Sequence, residues 1–396
     1  MAQLLTTVEE DSNFISGRVH PDFASVVDVF KSNFNKGLED AGASFAVFLG
    51  DECVVSLQGG LADIANLVPW NENTTSVLFS TTKSVSSVIL AYALWRSNKS
   101  YDTKIVEIWP EFGQCGKEHL TILDATLHRA GLAYTNDITK REDMTNPARI
   151  SLFFEKAAPC VPYGQVVYHT LTYGLLLDQI VRRLDFKKRG IADILDEDFV
   201  NIYGVDNLSI GLRTEKENIR MATLTELDDD DVMRQGKTAK NAMYKYFSGI
   251  NNHTHNVYLT YPWITTSDYN LLENRVLRMP SNMGISNAEG LAQFHSTLTT
   301  RQFLSEKFFK LLEKPVLVNV KDHGIGYEEN KGYGFQYTKN PKGEWVFGHS
   351  GFGGQNVRMD LHNQLTYAYV TNGLKIADAD DVVPWMNLVK EVYKCL

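Results

Sequence analysis

Cysteine is scarce in this chain. Cys53, Cys115, Cys160 and Cys395 are far apart and form no Cys-x-x-Cys pair, and four are too few to staple 396 residues. Reduced thiols are expected. Clustered positive charge is missing too: the net charge is −9, and no Lys/Arg block or basic stripe interleaved with aromatics occurs. That argues against nucleic acid or an anionic membrane surface as a partner. No apolar run approaches the roughly 20 residues that cross a bilayer, so no membrane-spanning segment is expected. The first residues lack the basic start and apolar stretch of a secretory leader, and Glu9, Glu10 and Asp11 argue against an Arg-rich transit peptide. Together these absences lead to a cytoplasmic protein whose partner is a small molecule or a peptide. No internal repeat or low-complexity stretch is visible.

What is present suits a large core, since 43% of the residues are apolar. After His20-Pro21, the apolar residues Phe23, Val26, Val27, Phe30 and Phe34 recur at three-to-four spacing, an amphipathic helix that ends near Gly42. Residues 43–49 and 53–60, joined by the polar turn Gly50-Asp51-Glu52, read as a hairpin. From Ser80 the chain is apolar nearly all round, as a buried helix would be. Residues 120–272 carry helical periodicity, with one long candidate at 170–184 and a solvated loop at 228–231. Strands return at 333–337, 345–349, 356–360 and 365–371, and a last helix covers 381–393. The expected fold is α+β: one antiparallel sheet built from N- and C-terminal segments and flanked by helices, with an inserted mostly α-helical lobe. A single domain is expected, its α/β lobe from about 1–115 and 275–396 and its helical lobe about 116–274.

Ser80-Thr81-Thr82-Lys83 places a hydroxyl and an ammonium three residues apart, on one face of a helix start. A serine is a weak nucleophile until a neighbour takes its proton, and a lysine can do so only with a lowered pKa. The helix N-terminus favours the negative charge that develops in acyl transfer. Taken alone, the tetrapeptide better fits a capping serine beside a surface lysine. The apolar helix that follows shifts the balance, because a lysine in its first turn is costly unless paired or functional. Two further constellations lie downstream: Tyr168-His169-Thr170 followed by Tyr173-Gly174-Leu175-Leu176, and His349-Ser350-Gly351 at a strand end.

Other candidates have plainer readings. His128 fits a hydrogen-bonding role in a turn. His253-Thr254-His255 has no third ligand at sensible spacing, so it reads as a solvated loop and no metal is expected. The segment 348–352 ends in Phe352 where an α/β-hydrolase elbow needs glycine, so Ser350 is not the expected nucleophile. Gly351-Phe352-Gly353-Gly354 lacks the strand-to-helix spacing of a dinucleotide loop, and no cofactor is expected.

In this order the three segments resemble the motifs of the serine β-lactamase, penicillin-binding-protein and β-lactamase-like esterase superfamily. Ser80-Thr81-Thr82-Lys83 matches its Ser-x-x-Lys. Tyr168-His169-Thr170 is similar to the Tyr-x-Asn element of class C enzymes and esterases, and His349-Ser350-Gly351 to the Lys-Thr-Gly strand in its His-x-Gly form. His128-Arg129-Ala130-Gly131-Leu132 resembles the family's His-x-Ser-Gly-Leu. The likeness runs from about Gly42 to Gly373 and most resembles the esterase-type, β-lactamase-domain-containing proteins of animals. It implies a serine hydrolase acting through an acyl-Ser80 intermediate on an ester, amide or peptide bond, with Lys83 and Tyr168 relaying the proton. A transacylase using the same acyl-enzyme, or an idle binding protein on the same fold, are the alternatives. The oxyanion hole would be the backbone N–H groups of Ser80 and Phe352, and Thr170, His349, Ser350 and Gly351 would bind substrate. Thr170 and His349 depart from the Asn and Lys of antibiotic-hydrolysing members, which implies acyl transfer without efficient β-lactam turnover.

Overall fold

The computed structural model describes residues 5–9, 13–135, 137, 139–205, 207–225, 252–300, 303–377 and 379–396. The N-terminal segment supplies strands β1 (Thr6–Val8), β2 (Ser16–Val19), β3 (Gly42–Leu49) and β4 (Glu52–Asp63). The C-terminal segment supplies β5 (Leu317–Lys321), β6 (Glu328–Gly332), β7 (Phe335–Lys339), β8 (Trp345–Ser350), β9 (Asn356–Asp360) and β10 (Leu365–Thr371). They pair antiparallel in the order β1-β2-β4-β3-β10-β9-β8-β7-β6-β5. The two segments join where β3 meets β10, with Ala46 opposite Ala368.

Period-two alternation gives this sheet two apolar faces. Along β3, Phe45 and Val47 enter one cluster while Ala46 and Phe48 enter the other, and along β10 Tyr367 and Tyr369 oppose Ala368 and Val370 in the same way. The helices that cover these faces or reach the site are α1 (Ser25–Asn35), α2 (Thr82–Arg96), α3 (Thr172–Leu184), α4 (Asn252–Thr260), α5 (Ala288–Thr299) and α6 (Val383–Cys395). Val26, Phe30, Trp385 and Leu388 place α1 and α6 on the first face. Val88, Ile89, Leu291 and Phe294 place α2 and α5 on the second. The result is the α+β architecture expected, with helices on both sides of one antiparallel sheet. Every residue of α2 from Thr82 to Leu94 is buried, which accounts for its lack of a polar face.

Several boundaries differ from expectation. The first helix begins at Ser25, because Pro21–Phe23 forms a separate tight turn whose N-cap is His20, and it stops at Asn35 rather than near Gly42. Ser80 lies in the 3-10 turn Phe79–Thr81 that precedes α2, so the α-helix starts two residues later than the motif suggested. The long middle helix begins at Thr172 rather than 170, and the backbone before it is bonded to His128 through the Val167 and His169 N–H groups. Tyr333 and Gly334, at φ 54° and 92°, form a turn in the left-handed region, so β7 starts at Phe335. The histidine-containing segment 253–255 is not a loop: it sits within α4, where buried Thr254 and Val257 face inward. Residues 228–231 lie outside the described residues. Strands β5 and β6 had no counterpart in the sequence reading, nor did a three-stranded sheet of Ser76–Val77, Gly284–Ser286 and Leu208–Ile210. That small sheet steadies the approach to Ser80: the Leu78 N–H donates to the Gly284 carbonyl at 2.8 Å, and the Gly284 N–H donates to Thr82 Oγ1 at 2.8 Å. Among the described residues no helix is long and apolar enough to cross a membrane.

Candidate active site

Ser80 is presented by a bent backbone. Phe79 holds φ 45°, a region costly for an aromatic residue, and its ring packs on Tyr269 at 4.7 Å and on Phe352 at 5.4 Å between centroids. The end of β8 comes against this turn so closely that a Cβ on Gly351 would lie 2.4 Å from the Leu78 carbonyl oxygen and 2.8 Å from Thr81 Oγ1. Only glycine lets the strand carrying His349 and Ser350 approach the turn carrying Ser80.

Lys83 is fully buried, and its Nζ has three partners: the Thr170 carbonyl at 2.8 Å, the Ser281 carbonyl at 3.1 Å and Ser80 Oγ at 3.0 Å. Burial first, and the positive charge of Lys331 second, hold this amine well below its ordinary value of 10.5. In a neutral amine two carbonyls consume both N–H donors. The lone pair is then left for the third partner, the Ser80 hydroxyl, which is the geometry of a general base.

Tyr168 stands beside this pair, its ring centroid 4.9 Å from Lys83 Nζ. Its loop is pinned by histidines. His128, at φ 59°, accepts the His169 N–H on Nδ1 at 3.0 Å, and its carbonyl accepts the Val167 N–H. His169 donates from Nδ1 to the Val167 carbonyl at 2.6 Å and accepts the Leu132 N–H on Nε2, and burial lowers it to about 4. Burial also holds His128 well below the usual histidine range, so both rings act as neutral struts, as the turn reading of His128 expected. Asp322 completes the support by accepting the Tyr168 N–H at 2.9 Å and the Gly324 N–H at 2.8 Å.

A cavity of about 410 Å³ opens beside Ser80, bordered by Tyr168, Thr170, His349, Ser350, Gly351 and Phe352. Much of the remaining wall is apolar or aromatic, including Val257, Tyr261, Ile264 and Tyr269. His349, whose ring centroid is 6.1 Å from that of Tyr168, is held well below the usual histidine range by burial. Its Nδ1 lies 2.6 Å from the Ser350 carbonyl, which can only accept, so Nδ1 carries the proton. The backbone N–H and hydroxyl of Ser350 both donate to Gln336 Oε1, at 2.9 and 3.1 Å. Glu329 is the charged side chain in the wall among the described residues, and Gln336 and Lys331 both bind its carboxylate.

The fold therefore brings Ser80, Tyr168, Thr170, His349, Ser350, Gly351 and Phe352 to one cavity, with Lys83 buried directly behind Ser80, from three separated stretches of chain. Thr170 enters differently from the expectation: it borders the cavity, and its carbonyl also anchors Lys83. Sequence reasoning missed Ser281, Asp322, Glu329, Lys331 and Gln336. Asp322-His323-Gly324 carries a turn signal that could have been noticed, since Asp322 caps its own turn. Nothing local marks the other four.

The family model described as Beta-lactamase matches residues 30–388. The chain is 26% identical over 371 residues to the esterase/beta-lactamase LipL of Mycobacterium tuberculosis, covering 91% of this chain and 83% of the relative. Its fold is similar to the crystal structure of a penicillin-binding-protein homologue from Caulobacter crescentus, with TM-score 0.80, 29% identity, and 96% and 100% of the two chains covered. It also resembles a family VIII carboxylesterase, with TM-score 0.81, 24% identity and the same coverage.

Proposed function

This chain is a serine hydrolase of the beta-lactamase family, and we propose that it works through an acyl-Ser80 intermediate on neutral esters, amides or peptides. One observation carries the assignment of Ser80: its hydroxyl is the one partner left for the lone pair of a buried, unprotonated Lys83. Ser80 Oγ bonds to the substrate carbonyl carbon as its proton passes to Lys83 Nζ. The oxyanion is met by the backbone N–H groups of Ser80 and Phe352, both at the cavity. Collapse breaks the bond to the leaving group, which departs with the proton relayed through Lys83 and Tyr168. Water repeats the sequence in reverse and frees the acid. The four cysteines are free thiols, which suits a reducing, cytoplasmic setting.

The cavity wall favours uncharged substrates. No lysine or arginine borders it among the described residues, and His349 stands neutral where antibiotic-hydrolysing relatives carry lysine. A substrate carboxylate therefore meets apolar surface and no cation. Turnover of p-nitrophenyl butyrate is expected to exceed that of nitrocefin, which bears a carboxylate, by about 10² or more in kcat/KM, the scale of one missing charge-assisted hydrogen bond. Faster hydrolysis of nitrocefin would overturn this reading.

A further inference from the structure

Lys331 takes no part in the steps above, yet it is the best-anchored charge near them. It lies buried on β6, and its ammonium pairs with the Asp322 carboxylate at 3.3 Å and with Glu329. It also stands 5.6 Å from the centroid of the Tyr168 ring, the same ring that Lys83 reaches at 4.9 Å. Asp322 binds both members of this arrangement, since its other oxygen accepts the Tyr168 N–H. One tyrosine thus has two buried lysines beside it, and their surroundings differ in kind. Lys331 has two carboxylates, whereas the partners of Lys83 are two carbonyls and a hydroxyl.

We propose that Lys331 is a positioning residue: clamped by Asp322 and Glu329 beside Tyr168, it is the fixed positive charge that keeps Lys83 as a free base, ready for the Ser80 proton. The other groups facing the pair do not supply such a charge. From the loop side His128 and His169, and from β8 His349, are all kept neutral chiefly by burial. Arg358, on β9, acts on His349 but is paired with Asp380 at 3.5 Å. Asp322 and Glu329 are the nearby anions, and both are engaged by Lys331 itself. Burial pulls Lys331 down, but Glu329 and then Asp322 outweigh it and raise it above 10.5, and its charge, after burial, lowers Lys83.

The inference rests on Lys83 being the base for Ser80, so its test must separate the two ideas. The measurement is the pH dependence of the rate at which a fluorophosphonate labels Ser80, which needs no knowledge of the substrate. Removing the charge in Lys331→Met lets Lys83 hold its proton to higher pH. The acidic limb of the profile is expected to move up by about one unit or more, with about tenfold slower labelling on that limb. Lys331→Arg keeps the charge and should return the limb to its wild-type position. Where Lys331→Met fails to fold, Lys331→Gln removes the same charge while keeping a polar donor for Asp322 and Glu329, and carries the same expectation. A folded Lys331→Met or Lys331→Gln variant whose limb stays at the wild-type pH overturns the role of Lys331 while leaving Ser80 and Lys83 standing. A wild-type protein that does not label at Ser80 overturns both.

Discussion

Replacing Lys83 by methionine is expected to lower kcat/KM for p-nitrophenyl esters by about 10² to 10⁴, the range for a positioned general base. The fold should survive. At neutral pH two effects oppose each other: the variant no longer holds an amine uncharged in the core, but it leaves the Thr170 and Ser281 carbonyls without a donor, at about 1–3 kcal/mol. Net stability there should change little. Its pH dependence should change clearly. The folded protein binds no proton at Lys83 where the unfolded chain, with an ordinary lysine near 10.5, still does. In that window the unfolded state binds more protons, so this group makes wild-type stability rise with pH, and stability is lost as pH falls through the lowered folded value. Lys83→Met should flatten that part of the urea-midpoint profile, on the acid side of 10.5. A variant that keeps near-normal activity, or an unchanged slope, would show that Lys83 is charged in the folded protein and is not the base.

Tyr168→Phe is expected to cost a further large factor, about 10² or more, because the tyrosine carries the proton between Lys83 and the leaving group. The informative quantity is the cycle. If lysine and tyrosine act as one relay, the double variant loses far less than the product of the two single losses. Circular dichroism controls for folding, which the ring's contact with His128 at 4.9 Å makes necessary. Near-normal turnover in Tyr168→Phe beside an inactive Lys83→Met would remove Tyr168 from the relay.

The residues expected to act were those whose chemistry is local in sequence. Ser80 and Lys83 sit three apart on successive turns, so helical spacing alone predicted their contact. The apolar course of α2 predicted the burial that makes the lysine a base. The hairpin β3–β4 and strands β8 to β10 were legible from alternation and turn residues, because half-buried strands print a period of two. What stayed hidden depends on distant pairing. Lys83 meets the Ser281 carbonyl across 198 positions, and Tyr168 meets Asp322 across 154. Strand β6, Glu328–Gly332, reads Glu-Glu-Asn-Lys-Gly, polar throughout, because its inward side chains form the ion cluster under Tyr168 instead of an apolar stripe. The histidine segment in α4 misled for a similar reason: its polar residues suggested solvent, yet Thr254 borders the cavity and His253 packs on Tyr134.

The claim on which the rest depends is that Ser80 is the nucleophile, and one measurement addresses it directly. Folded protein treated with a fluorophosphonate probe, digested and mapped by mass spectrometry, is expected to carry the adduct on Ser80 with one equivalent of probe. Ser80→Ala should leave no adduct. Labelling at Ser350, or no labelling of the folded wild-type protein, would contradict the account.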